Sequence, residues 1–156
     1  MTGDGVRARP RADCRERQLR SSIVALNSVD NPGMPIRQTV ERFVELVESG
    51  RGLSALDEFY AENASMQENQ SAPRIGKRAL LAHETSAQAS VTNLTARCIR
   101  PFLIEGDTVV LRWTFEYVDG CGRPVQFEEL AYQRWTGERI REEQFFYDPA
   151  QFKPRA

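Results

Sequence analysis

The spacing of hydrophobic residues changes near position 91, and this change divides the chain into two parts. Before it, apolar residues recur three and four positions apart, which predicts amphipathic helices. After it, apolar and polar residues alternate, which predicts strands with one buried face. Helices followed by strands that share one core are typical of an α+β domain.

Three helices are predicted in the first part. The first has Pro35 in its opening turn and ends at Gly50. Its apolar stripe consists of Ile36, Val40, Phe43, Val44 and Val47. A short second helix follows Ser54, which forms a weak capping box with Asp57. The third helix runs from Lys77 to about Ala87, and one face of it holds Ala79, Leu80 and His83.

A short strand is predicted from Ala64 to Asn69, followed by a loop from Gln70 to Gly76. The later strands are predicted at residues 91 to 105, 109 to 117, 125 to 135 and 140 to 147. Tight turns between these strands predict an antiparallel meander, and the helices must cover one of its faces.

Residues 1 to 33 differ from the rest of the chain in composition. They hold no aromatic residue and a dense run of arginines between Arg7 and Arg17. Such a segment cannot bury enough apolar surface to offset its ordering entropy, so it is predicted to be a disordered extension. A basic arm is the alternative, although acidic residues interrupt the charge. Translation can also begin at Met34, so the domain is placed at residues 34 to 156.

The composition limits the classes of function. At 156 residues, with 40% apolar residues and a net charge of -1, the chain can fill one core. The mildly acidic part after residue 35 gives no reason to expect nucleic acid. No apolar run is long enough for a membrane span, and free thiols at Cys14, Cys98 and Cys121 suit a reducing cytoplasm.

Known cofactor motifs are absent from the sequence. There is no Gly-rich phosphate loop, no His-x-x-x-His and no Cys-x-x-Cys. Nucleotide, flavin and metal chemistry therefore have no support from motifs, and we expect no cofactor and no metal.

Several short sequence motifs, taken in order, resemble those of the SnoaL-like branch of the nuclear transport factor two-like superfamily. The motifs are Thr39 to Gly50, Phe59 to Ala64, Pro73 to Gly76, Tyr132 to Ile140 and Phe146 to Asp148. This resemblance implies a cone-shaped, curved antiparallel sheet packed on three N-terminal helices. Members of the superfamily include isomerases, cyclases, epoxide hydrolases, dehydratases and domains that only bind.

The resemblance also implies roles for single positions. The carboxylate proton shuttle of the ketosteroid isomerase pattern falls on Glu68. The two oxyanion donors of that pattern fall on Phe43 and Ala131, which cannot donate a hydrogen bond. The acid used by SnoaL-type cyclases also falls near Ala131. The base position is therefore filled, while steroid-type isomerisation and cyclisation lose support.

Residue spacing adds further candidates. His83 is the only histidine and shares a helical stripe with Leu80, so it can be the acid-base partner of Glu68 or a packed rim residue. Glu128 and Glu129 are neighbours on a strand, so they must point to opposite faces. Glu129 is two residues from Ala131 and therefore shares the face that is turned toward the helices. Instead of binding a ligand, Glu129 can form an ion pair with Arg112 or Arg141. The predicted binding residues are Met66, Trp113, Phe115, Glu129, Gln133, Gln144 and Phe146.

Two hypotheses follow. The first is a pocket that binds a small, largely apolar carbonyl compound, with acid-base chemistry through Glu68 and His83. The second is a binding or dimerisation module without catalysis. Leu130 and Tyr132 lie on the face opposite the helices, so a homodimer through that face is expected in either case.

Overall fold

The computed structural model describes residues 33–152, so the predicted disordered extension falls almost wholly outside the described residues. Three helices, six strands and a closing 3-10 helix form the described part. The helices are α1 (Arg37–Glu48), α2 (Gly52–Phe59) and α3 (Lys77–Ala89). The strands are β1 (Tyr60–Glu68), β2 (Arg74–Ile75), β3 (Thr92–Glu105), β4 (Thr108–Val118), β5 (Pro124–Thr136) and β6 (Arg139–Phe146). The 3-10 helix spans Pro149–Phe152.

All six strands form one curved, open sheet in the order β2-β1-β6-β5-β4-β3. The last four strands are an antiparallel meander, as predicted. The first long strand differs from the prediction, because β1 runs parallel to β6, with Met66 opposite Glu143. A parallel pair needs a long crossover, and the chain from α3 through the meander supplies it. The sheet is therefore mixed, and the predicted α+β cone fold is confirmed.

Side chains alternate between an inner face, which packs on the helices, and an outer face. In β5, Ala131 and Gln133 point inward and are fully buried. Leu130 and Tyr132 point outward, with 45% and 38% of their surface exposed. The inner face is therefore the place where buried polar groups can meet a pocket.

Aromatic rings fill the part of the inner face that lies against α1 and α2. Phe43 packs edge-on against Phe59 and Trp135, with ring centroids 5.7 and 6.3 Å apart. A second aromatic group lies further along the sheet, where Phe127 contacts Phe115 at 5.1 Å and Phe152 of the 3-10 helix at 5.0 Å. The polar groups of the inner face lie beside these two clusters.

Some local expectations are corrected. Helix α1 begins two residues after Pro35, and Ile36 precedes it with an extended backbone, so its side chain is 50% exposed instead of joining the stripe. Ala79 is exposed although Leu80 is buried, because the buried side of α3 is narrow. The predicted loop from Gln70 to Gly76 contains the short strand β2, which pairs with β1.

Candidate functional site

The centre of the candidate site is the carboxylate of Glu68, at the end of β1. Tyr147 follows β6 directly, and β1 and β6 are parallel neighbours, so both residues lie at the same end of the sheet. The Tyr147 hydroxyl donates a hydrogen bond of 2.7 Å to Glu68 Oε2. His83 Nε2, from α3, lies 3.6 Å from Glu68 Oε1. Both oxygens of Glu68 therefore have a polar neighbour.

This centre is open to solvent. The side chains of Glu68 and His83 are 42% and 35% exposed. Burial, followed by the hydrogen bond to Glu68, raises the pKa of Tyr147 to about 12, so its phenol keeps its proton and remains a donor. A small molecule can thus reach a carboxylate whose position is fixed by a tyrosine.

A second polar group lies deeper on the inner face. Glu143 is 3% exposed and accepts hydrogen bonds from the Tyr60 hydroxyl and from Gln133 Nε2, the latter at 2.7 Å. Gln133 Oε1 in turn accepts a 3.0 Å hydrogen bond from Trp135 Nε1. Burial raises the pKa of Glu143 to about 7, although its two donors act in the opposite direction. Burial, together with the charge of Glu143, raises the pKa of Tyr60 as well.

Two further glutamates face the same region. Glu129 is half-buried on the inner face of β5, opposite Trp113 of β4. Burial, and then the negative charges of Glu143, Glu68 and Glu84, raise its pKa to about 8. Glu84 follows His83 on α3. Burial raises the pKa of Glu84, while His83 and Arg74 lower it.

The structure places the predicted binding residues in different surroundings. Met66 and Trp113 are buried in the core, and Gln133 is fully buried in the hydrogen-bonded group around Glu143. Phe115 is half-buried and stacks on Phe127, so it belongs to the aromatic wall. The parity argument for Glu129 agrees with its half-buried inner position.

Three details of the site differ from expectation. Gln144 and Phe146 lie opposite the outward residues Tyr132 and Leu130, so they are on the outer face of the sheet. The reason is the two-residue period of a strand, which sends the neighbours of the inward Glu143 and Phe145 outward. The ion pair considered for Glu129 is formed by the exposed Glu128, whose Oε2 lies 2.5 Å from Arg112.

Sequence reasoning missed the hydrogen bond of Tyr147 and the buried group around Glu143. Counting back from the Thr136-Gly137 turn would pair Gln133 with Glu142, because the register shifts by one residue between Arg134 and Trp135. The contact between Tyr60 and Glu143 depends on the parallel pairing of β1 with β6, which no local pattern indicates.

Within residues 33–152, no three His, Cys, Asp or Glu side chains are arranged to hold a metal ion. No helix in that same range has the length and apolar character needed to cross a membrane.

A cone-like α+β fold with acid-base groups on its inner face defines a class of small-molecule-binding domains. The sequence profile of the SnoaL-like domain matches residues 40–143. The chain therefore belongs to the SnoaL-like domain family, and the resemblance drawn from its sequence is confirmed. None of the curated proteins matches the sequence.

Solved structures with the same fold agree with this placement. A protein described as a SnoaL-like polyketide cyclase from Mesorhizobium loti is 22% identical, with a TM-score of 0.62 over 70% of this chain and 97% of that one. A protein of ketosteroid isomerase-like fold from Catenulispora acidiphila, in complex with trimethylamine, is 17% identical, with a TM-score of 0.63 over 74% and 88%. An epoxide hydrolase from M. tuberculosis is 17% identical, with a TM-score of 0.59 over 71% and 80%. At these identities the similarity concerns the fold.

Proposed function

We propose that this protein binds a small, largely apolar carbonyl compound against the inner face of the sheet and moves a proton on it. Glu68 is the base. The observation that carries the proposal is the position of its carboxylate, which is exposed to solvent, bonded by Tyr147 at 2.7 Å and next to His83 at 3.6 Å. A positioned carboxylate of this kind is suited to general base catalysis.

The chemistry uses only groups of the chain. Glu68 takes a proton from the carbon next to the carbonyl, so the C–H bond breaks and the electron pair moves toward the carbonyl oxygen. His83 lies beside the same carboxylate and can accept or return a proton at a second position of the substrate. The half-buried rings of Phe115 and Phe127 offer an apolar surface for the rest of the molecule.

The outer face supports a proposal about assembly. Leu130, Tyr132 and Phe146 are 45%, 38% and 39% exposed and lie side by side on β5 and β6. The pairs Arg112–Glu128 and Arg141–Glu142 border this apolar patch, so the surface carries both signs of charge next to apolar area. Such a face suits a second copy of the chain, and the protein is proposed to be a homodimer.

Binding can be tested with the apolar ketone 2-tetralone and with tetralin, the hydrocarbon that lacks its carbonyl. His83 is the only histidine, so its ring signals in an NMR spectrum are unambiguous. We expect 2-tetralone to shift these signals at lower concentration than tetralin, because only the ketone can meet the polar groups around Glu68. The Glu68→Gln variant should still bind the ketone.

The Glu62→Gln variant is the matched control for the Glu68 substitution. Glu62 lies on the same strand, is 88% exposed and pairs with Lys77 away from the site. Equal shifts from ketone and hydrocarbon, or no shift from either, would contradict the proposal. Binding without any proton transfer would favour the non-catalytic alternative.

A further inference from the structure

The chain leaves β1 through Asn69, which follows Glu68 directly and has a left-handed backbone. The φ angle of Asn69 is 47°, in a region that residues other than glycine rarely adopt. Asparagine tolerates this region better than most residues do, because its short polar side chain can form local hydrogen bonds. The backbone of Asn69 therefore departs from the strand geometry at the point where the candidate site begins.

The contacts of Asn69 with the neighbouring strand show what this turn changes. Asn69 N donates a hydrogen bond of 2.8 Å to Phe145 O, so the parallel ladder of β1 and β6 continues past Glu68. In a regular parallel ladder, the next bond would run from Tyr147 N to the backbone oxygen of Asn69. Tyr147 N donates instead to the side-chain oxygen Oδ1 of Asn69, at 3.1 Å. The asparagine side chain thus replaces its own backbone in the last bond of the ladder.

The displaced backbone oxygen of Asn69 also has a partner. It accepts a hydrogen bond of 2.7 Å from Gln144 Nε2. The orientation of the Asn69 amide is fixed as well, since Tyr147 N can only donate and must therefore face the side-chain oxygen. Asn69 is tied through its N, O and Oδ1 atoms to β6 and to the residue that follows it.

These contacts determine where the hydroxyl of Tyr147 lies. Its backbone amide is held by Asn69, and its ring packs against Phe127 and Phe152, with centroids 6.3 and 5.5 Å away. The hydroxyl then meets Glu68 Oε2 at 2.7 Å. Tyr147 is therefore bonded at both ends to two residues that are adjacent in the chain.

We propose that Asn69 is a positioning residue that acts through Tyr147: its side-chain oxygen fixes the backbone of Tyr147, and the Tyr147 hydroxyl then holds the carboxylate of Glu68 in one orientation. Oε2 of Glu68 is occupied by the tyrosine, so Oε1, which lies 3.6 Å from His83 Nε2, is the oxygen that takes the proton. The effect on proton transfer rests on the proposed function, whereas the arrangement of Asn69, Tyr147 and Glu68 does not.

Glu68 needs such support because burial alone does not hold it. Its side chain is 42% exposed, and a long side chain in contact with water keeps much of its rotamer freedom. A catalytic group that is misplaced by about 1 Å can lose about 100-fold in rate. A carboxylate that is already held before the substrate arrives avoids this loss.

The test measures the contact between Tyr147 and Glu68 without a substrate. The four tyrosines are labelled with carbon-13 at the ring carbon that bears the hydroxyl, and Tyr147→Phe assigns the signal. In the natural chain, Glu68→Gln should move the Tyr147 signal, because an ionised acceptor polarises the hydroxyl more than a neutral one does. Asn69→Gly permits the left-handed backbone but lacks the side-chain oxygen. In this variant, Glu68→Gln should move the signal by less than about half as much.

Two further variants separate positioning from a general loss of structure. Asn69→Asp keeps an oxygen that can accept from Tyr147 N, so it should restore the full displacement of the signal. Asn93→Gly is the matched control, because Asn93 also has a left-handed backbone, with a φ angle of 55°, but is exposed on the edge strand β3. It should leave the displacement unaltered.

Three results would overturn the proposal. The first is an equal displacement of the Tyr147 signal by Glu68→Gln in the natural chain and in Asn69→Gly. The second is an Asn69→Asp variant with the same reduced displacement as Asn69→Gly. The third is the lack of any displacement in the natural chain, since the Tyr147 hydroxyl would then not bond to Glu68.

The exchange of the α-protons of 2-tetralone for deuterium links this arrangement to the proposed function. Exchange should be about 10-fold slower in Asn69→Gly than in the natural protein, with ketone binding nearly unchanged, and should recover in Asn69→Asp. An unchanged rate in Asn69→Gly would overturn the role of Asn69 in proton transfer. If the natural protein does not accelerate the exchange, the proposed function is contradicted, and the NMR displacement alone decides whether Asn69 positions Tyr147.

Discussion

Replacing the buried Glu143 by glutamine should change how the stability of the protein depends on pH. In the folded chain the pKa of this carboxyl is raised from its ordinary value of 4.5 to about 7. Between these two values the folded state binds more protons than the unfolded state, so the free energy of unfolding falls as the pH rises. The stabilising contribution is complete below pH 4.5 and is lost above about pH 7.

The size of the effect follows from the same two values. The difference between 7 and 4.5, at about 1.4 kcal/mol per pH unit, gives about 3.5 kcal/mol over the whole range. This value is a large part of the stability of a typical domain. Glutamine resembles the protonated acid in shape and cannot ionise, so the stability of the variant relative to the natural protein should rise by roughly 2.5 kcal/mol between pH 5 and pH 8.

Urea unfolding followed by circular dichroism at pH 5, 6, 7 and 8 measures this difference. The dependence of the free energy on urea should be the same for both proteins, so that only the midpoint changes. Glu142 is on the exposed side of the same strand. In Glu142→Gln the free energy of unfolding should therefore depend on pH as it does in the natural protein. The reasoning would be refuted if the free energy of unfolding of Glu143→Gln changes with pH as that of the natural protein does, or if the variant becomes less stable relative to the natural protein between pH 5 and pH 8.

Three further predictions concern other parts of the chain. Tyr147→Phe should lower the free energy of unfolding by about 1 kcal/mol, because one partly exposed hydrogen bond is lost. It should also slow proton transfer more than it weakens ketone binding. An unchanged rate of proton transfer would contradict the role of Tyr147. Light scattering should give a mass of about twice 17.8 kDa for the natural protein. The double variant Leu130→Arg with Tyr132→Arg should be a monomer. The control Leu103→Arg changes an apolar residue on β3 that is 62% exposed, and it should remain a dimer. A chain that starts at Met34 should melt within a few degrees of the full chain, and a larger loss would show that residues 1 to 33 stabilise the domain.

The helices and the meander could be predicted because each follows from a local pattern. The stripe of α1 and the alternation in β4 depend only on residues a few positions apart. The parallel contact of β1 with β6 could not be predicted in this way, since it joins segments about 80 residues apart in the chain. The antiparallel prediction therefore holds for the meander, whereas the pairing of β1 with β6 is parallel.

The candidate site shows the same division. Family resemblance and helical spacing selected Glu68 and His83 as a pair, and the structure brings them to 3.6 Å; their catalytic role stays a prediction. The sequence places Glu142 and Glu143 on opposite faces of their strand but gives no partner for the inward one. Its burial depends on donors from Tyr60 and Gln133, which reach it only once β1, β5 and β6 have assembled.

The most direct measurement is the exchange of the α-protons of 2-tetralone for deuterium in heavy water, followed by proton NMR. The natural protein should accelerate this exchange over buffer, because Glu68 removes one of these protons. Glu68→Gln should reduce the acceleration by about 100-fold or more, the usual contribution of a general base, while Glu62→Gln should retain it. No acceleration by the natural protein, or equal acceleration by Glu68→Gln, would contradict the acid-base role of Glu68.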